Sequence, residues 1–119
     1  MILNDPVEVD LPWPPARLFP NRARTQSWRK NANLARIYRR ECWVMTLASK
    51  VQGKRLLKVC FHPPDKRRRD DDGCIAAFKA GRDGVADALR IDDYHFRPEY
   101  SFGEPVKWGK VVVTIGDAL

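Results

Sequence analysis

The stretch Arg55-Leu-Leu-Lys-Val-Cys-Phe-His-Pro-Pro-Asp-Lys-Arg-Arg-Arg-Asp-Asp-Asp-Gly73 holds a strand, a stop and a charge reversal within 19 residues. Arg55 to His62 alternates, with Leu57, Val59 and Phe61 expected on one face, and Pro63-Pro64 ends the ladder because proline donates no backbone hydrogen bond. Four cations, Lys66, Arg67, Arg68 and Arg69, then run directly into three carboxylates, Asp70, Asp71 and Asp72. In an extended strand end, residues two apart point the same way, so Asp70 and Asp72 are expected together, with Asp71 facing elsewhere. Two converging carboxylates repel unless a cation lies between them. Mg²⁺ is the natural choice, with Mn²⁺ as a substitute, because it takes hard oxygen ligands, keeps several waters and accepts phosphate oxygens.

Outward toward the C-terminus, Ile75, Phe78, Val85 and Leu89 share a stripe that predicts an amphipathic helix over 73–90, although Gly81 and Gly84 weaken it. On that helix Lys79 stands nearly two turns beyond Asp72, leaning back to stabilise charge developing on a phosphate. Asp92 and Asp93 follow and are expected to return to Asp70 and Asp72 as further metal ligands. Tyr94–Phe102 and Val106–Ile115 read as β segments joined through Gly103-Glu104-Pro105.

Toward the N-terminus, Trp28 to Lys50 contains neither Gly nor Pro, and Leu34, Ile37, Tyr38, Met45 and Ala48 recur at helical spacing. The opposite face carries Arg36, Arg39 and Arg40. Tyr38 is expected in the core, whereas Trp28, set among basic residues, suits stacking on an unpaired base. Residues 16–27 form a basic loop with Arg17, Arg22 and Arg24, and Val7 to Trp13 alternates as a first strand ending at Pro14-Pro15. The order is β-α-β-α-β-β, an α+β class with a small mixed or antiparallel sheet covered by two helices.

The 119 residues suit one domain, 1–119, and their net charge of +7 attracts polyanions such as nucleic acid. No stretch approaches the roughly 20 apolar residues of a membrane span, and the start lacks signal-peptide features, so a soluble, cytoplasmic protein with no membrane partner is expected. Cys42, Cys60 and Cys74 fit reduced packing thiols. Zinc binding by Cys60, His62, Cys74 and His95 is disfavoured by spacing, and a calcium loop fails because Gly81 stands where a Glu is required.

Two stretches, Leu11-Pro-Trp-Pro-Pro15 and Pro64-Asp-Lys-Arg-Arg-Arg-Asp-Asp-Asp72, together with Asp92-Asp93, resemble the RusA family of Holliday junction resolvases. The resemblance implies metal-binding carboxylates at Asp70, Asp72 and Asp93, a helper at Asp92, and a catalytic arginine at Arg69. Where that family carries Asn after its second Asp this chain has Gly73, and the family lysine corresponds to Lys79 with about one helical turn inserted. It further implies a homodimer that makes paired, symmetric, Mg²⁺-dependent nicks in four-way DNA during recombination and repair. Lys66 to Arg69, Arg22, Arg24, Arg36, Arg39 and Arg40 would grip the DNA arms. Two alternatives stay open: a non-catalytic DNA-binding module in which Asp70 and Asp72 only cap a helix, and a nuclease acting on other branched phage DNA intermediates.

Overall fold

The valine-rich segment Lys110–Gly116 (β4) is buried at nearly every position because strands flank it on both sides, which calls for an apolar run rather than clean alternation. This computed structural model describes residues 6–20, 27–51, 55–92, 94 and 96–116, and its four strands form one sheet in which β4 is an inner strand. Val7–Pro12 (β1) and Arg55–His62 (β2) both run antiparallel to β4, and Glu99–Phe102 (β3) runs parallel to β2 at one edge, giving a mixed sheet. The two C-terminal strands are therefore consecutive in the chain but not neighbours.

The helices are Trp28–Ala48 (α1), Asp71–Ala77 (α2) and Lys79–Leu89 (α3), and a short 3-10 turn spans Ala16–Leu18. The order is β-α-β-α-α-β-β: the α+β class and mixed sheet are as expected, but the second helix is two. The two helices meet at Phe78, whose N–H still donates to the Cys74 carbonyl at 3.0 Å and whose carbonyl accepts from the Arg82 N–H at 2.9 Å; its ring fills the space that Gly81 leaves open, since a Cβ there would lie 2.6 Å from it. That ring meets Tyr38 and Phe61 edge-on, tying both helices to the sheet.

The core joins Val9, Leu11, Leu56, Val59, Phe61, Val111, Val113 and Ile115 from one sheet face to Tyr38, Cys42, Phe78 and Val85 from the helices. A bulge between Leu56 and Lys58 brings Leu56 onto this face; the side chain of Leu57 lies outside the described residues.

The stripe expected on α1 is corrected. Tyr38, Cys42 and Thr46 form the buried row, whereas Ile37, Met45 and Ala48 are exposed beside Val44 and Leu47. Thr46 tolerates burial because its hydroxyl donates to the Cys42 carbonyl at 2.7 Å. Burial pushes the Cys42 thiol up to about 12, so it packs as an uncharged group. Tyr38 donates to the Pro12 carbonyl at 2.6 Å, fastening α1 to the end of β1. Tyr38→Phe strands that carbonyl and should cost about 1–2 kcal/mol, read as a lower urea midpoint at unchanged slope.

Among the described residues no helix is long and apolar enough to cross a membrane. All three cysteines are free, with Cys42 and Cys74 buried.

Candidate functional site

Beyond Pro63-Pro64 the chain turns around Asp65. The Asp65 carboxylate accepts the Arg67 backbone N–H at 2.9 Å and pairs with Arg69 at 2.9 Å, while Arg69 also donates to the carbonyls of Asp65 (3.1 Å) and Arg67 (2.9 Å). The Arg69 guanidinium lies 5.8 Å from the Trp13 ring centroid, and its side chain is only 19% exposed. Arg69 is thus the clamp that shapes the loop. Arg68 is exposed, makes no hydrogen bond or ion pair within this network, and lines each of the clefts beside Asp70. Lys66 and Arg67 are exposed as well, with Arg67 paired to Asp65 at 3.2 Å.

Hydrogen bonds from the Arg67 backbone N–H and side chain hold the Asp65 carboxyl at about 2, below its ordinary 3.8. A depressed folded value means that the clamp is complete above about pH 4 and fails only as the pH falls through about 2. The Arg69 side-chain N–H resonances should therefore hold steady on acidification to about pH 4 and move near pH 2, whereas Asp65→Asn shifts them at every pH.

Asp70 is the N-cap of α2 in extended geometry, and Asp71 and Asp72 occupy the first turn, where carboxylates are favoured by the helix dipole. This corrects the expected strand-end arrangement, in which Asp72 was to stand before a helix opening at Gly73. Asp71, expected to face elsewhere, lines the same open cleft of about 660 Å³ as Asp70, Asp72, Arg68 and Arg69. The Asp70 carboxylate makes no capping hydrogen bond. Cys74, one turn on, is buried; desolvation raises its thiol, with the Arg69 charge opposing, so it is a packing group.

Lys79 opens α3 and reaches Asp83 at 3.2 Å. Lys79 thus stands on a different helix from Asp72, where a single helix over 73–90 was expected. Asp92 accepts the Tyr94 backbone N–H at 3.0 Å and lines a separate cleft with Arg39, Asp83 and Asp87. Arg39 bridges the helices through a bidentate pair with Asp87 at 2.7 and 2.9 Å, so it serves helix packing first. Arg36 pairs with Asn33, and Arg40 is exposed. Asp93, Arg22, Arg24 and His95 lie outside the described residues. Among the described residues no group of three or more His, Cys, Asp or Glu is arranged to hold a metal ion.

Sequence reasoning passed over Asp65 as a site residue, and the signal was present: an Asp two and four residues before arginines, directly after a Pro-Pro stop, is suited to organise them.

No family model matches the chain. A protein of Xylella fastidiosa (strain Temecula1), described as uncharacterized, is 36% identical over 113 residues, an overlap of 90% of this chain and 74% of the other. With that identity sustained over nearly its whole length, the chain belongs to the same family as the Xylella protein.

Proposed function

We propose that the chain is a structure-selective, Mg²⁺-dependent endodeoxyribonuclease that resolves four-way DNA junctions by paired symmetric nicks, working as a homodimer. The observation that carries this reading is the cleft in which Asp70, Asp71 and Asp72 stand against Arg68 and Arg69, because phosphodiester hydrolysis needs both anionic ligands and a cationic phosphate grip. Its support in the sequence is the resemblance of the Leu-Pro-Trp-Pro-Pro and Arg-Arg-Asp-Asp-Asp stretches to RusA-like resolvases.

The donor chemistry fits a hard divalent ion: carboxylate oxygens only, with Asp70 not spent on capping. Asp70 and Asp72 would hold Mg²⁺, joined by Asp93 as the resemblance implies, whereas Asp92 lines the separate cleft beside Arg39. When bound, the ion supplies Lewis acidity for attack of water on phosphorus. Arg68 would hold a non-bridging phosphate oxygen and offset the charge that grows there. Asp71, in the same cleft, would accept the proton of the attacking water. Arg69, fixed by Asp65, keeps the backbone of 66–70 in one conformation.

Two copies related by a two-fold axis would present two such clefts to opposed strands of a junction. The test is a labelled four-way junction and a matched duplex incubated with Mg²⁺ or EDTA and read on a denaturing gel. Paired nicks in the junction alone, and only with metal, bear the proposal out; junction binding with no cutting under any divalent ion replaces it with the binding-module reading. Cutting of flaps or forks in preference to the four-way junction replaces the substrate while keeping the chemistry.

A further inference from the structure

Trp108 is the most exposed large apolar side chain among the described residues, at 81%, and its backbone φ is +72°. It occupies the third position of a turn over 106–109 closed by the Gly109 N–H donating to the Val106 carbonyl at 2.9 Å. A positive φ at that position is ordinarily met by Gly or Asn, and a bulky aromatic pays steric strain there. The strain brings no packing in return, since the ring lies in solvent with the Lys107 ammonium 5.4 Å from its centroid.

The turn is placed firmly. The Val106 N–H donates to the Pro63 carbonyl at 2.9 Å, and a Cβ on Gly109 would lie 3.0 Å from the Trp13 Cβ and 3.1 Å from Pro64. Trp13 and Pro64 also line a cleft of about 450 Å³ with Phe19, Arg67, Arg68 and Arg69. The turn that carries Trp108 is therefore anchored on Trp13 and Pro64, two residues that also line the cationic cleft.

We infer that Trp108 is a nucleobase-stacking residue that receives an unstacked base of branched DNA beside the scissile phosphate, with Lys107 passing from the ring to the neighbouring backbone. This rests on the nuclease reading and adds the contact by which that site distinguishes branched from fully paired DNA. Stacking suits the task because every base offers a π-face, whereas a fully stacked duplex offers none at its side. The adjacent lysine supplies phosphate attraction without a sequence requirement.

The test compares wild type, Trp108→Gly and Trp108→Phe by fluorescence anisotropy on a labelled four-way junction, a single strand and a matched duplex, all in EDTA so that no cutting intervenes. Trp108→Gly should melt a few degrees higher, because glycine relieves the turn, yet bind the junction and the single strand about 10-fold more weakly, with duplex affinity changed less than about 2-fold. Trp108→Phe should keep most of the affinity. Unchanged junction binding by Trp108→Gly, or an equal loss on all three DNAs, overturns the inference and leaves the nuclease reading standing. A lower melting temperature for Trp108→Gly also overturns it, because the ring would then be a packing element. Absence of wild-type binding to any of the DNAs brings down both readings.

Discussion

Asp70→Asn should lower the rate of metal-dependent cutting of a four-way junction by about 100-fold or more while junction binding in EDTA is kept or tightened. Mutation of outer-shell partners of a metal site already costs about 10- to 100-fold, so loss of a direct carboxylate ligand belongs at or beyond the upper end. Binding moves the other way because a negative charge leaves a cleft shared with Arg68 and Arg69, where phosphate must approach. The substitution is mild for the fold: Asp70 is exposed, its side chain makes no capping hydrogen bond, and Asn is an equally good N-cap. Single-turnover cutting across a Mg²⁺ series, with circular dichroism to check folding, reads the effect. Unaltered cutting by both Asp70→Asn and Asp72→Asn removes the carboxylates from the chemistry.

Gly84→Ala should be the most damaging single methyl in the protein. A Cβ at Gly84 would lie 2.2 Å from the Arg39 carbonyl oxygen and 3.1 Å from the Trp43 nitrogen, and both are backbone atoms of α1 that cannot swing aside. The helices must separate, which opens the packing around Tyr38 and Val85 and lengthens the Arg39–Asp87 bridge. Overpacking of this kind costs about 3 kcal/mol or somewhat more, about 10 °C in melting temperature at this chain length. Gly73→Ala provides the internal contrast. A Cβ there meets nothing closer than 3.7 Å, so helix propensity alone operates and stability should rise by about 0.5–1 kcal/mol. Opposite signs for the same chemical change would locate the close approach at Gly84; similar small effects would refute it.

These two glycines mark where the sequence was legible and where it was not. The first two strands were readable because alternation and Pro-Pro stops are local, and β1 and β2 fall within a residue of their expected ends; the last two, expected from Tyr94 and Val106, begin only at Glu99 and Lys110. The long helix was readable for the same reason, since 21 residues without Gly or Pro admit little else. Its buried face was not, because helical periodicity identifies several apolar rows and only contact with the sheet and α3 selects one. The glycines in 73–90 read as weaknesses of a helix, whereas Gly84 is the condition for that helix to lie against Arg39, a fact that depends on a residue 45 positions away.

The acidic run stood out as a candidate site by charge alone, but its geometry did not. Three aspartates after a strand look like a strand end, and only the onset of α2 at Asp71 brings Asp71 to the same cleft as its neighbours. The contacts of Arg69 were hidden for a similar reason. A row of four cations gives no means of telling which one the fold consumes, and Asp65 settles it by drawing Arg69 inward and leaving Arg68 to the solvent.

The place of β4 bears on how the molecule comes into being. β1 and β2 do not touch each other; both hydrogen-bond to a strand that begins at residue 110, after every helix is already in the chain. Only the four-residue pairing of β2 with β3 can form before it. Assembly must therefore wait for late, long-range closure, the slow kind of step, and a growing chain carries its acidic loop on a β2 paired along four residues at most until the last strand arrives. The Tyr38 to Pro12 hydrogen bond and the turn at Trp108 meet at the end of the sheet that this closure completes. A nascent or truncated chain thus holds the charged residues without the platform that aligns them, and the charged cleft comes into existence in a single late event.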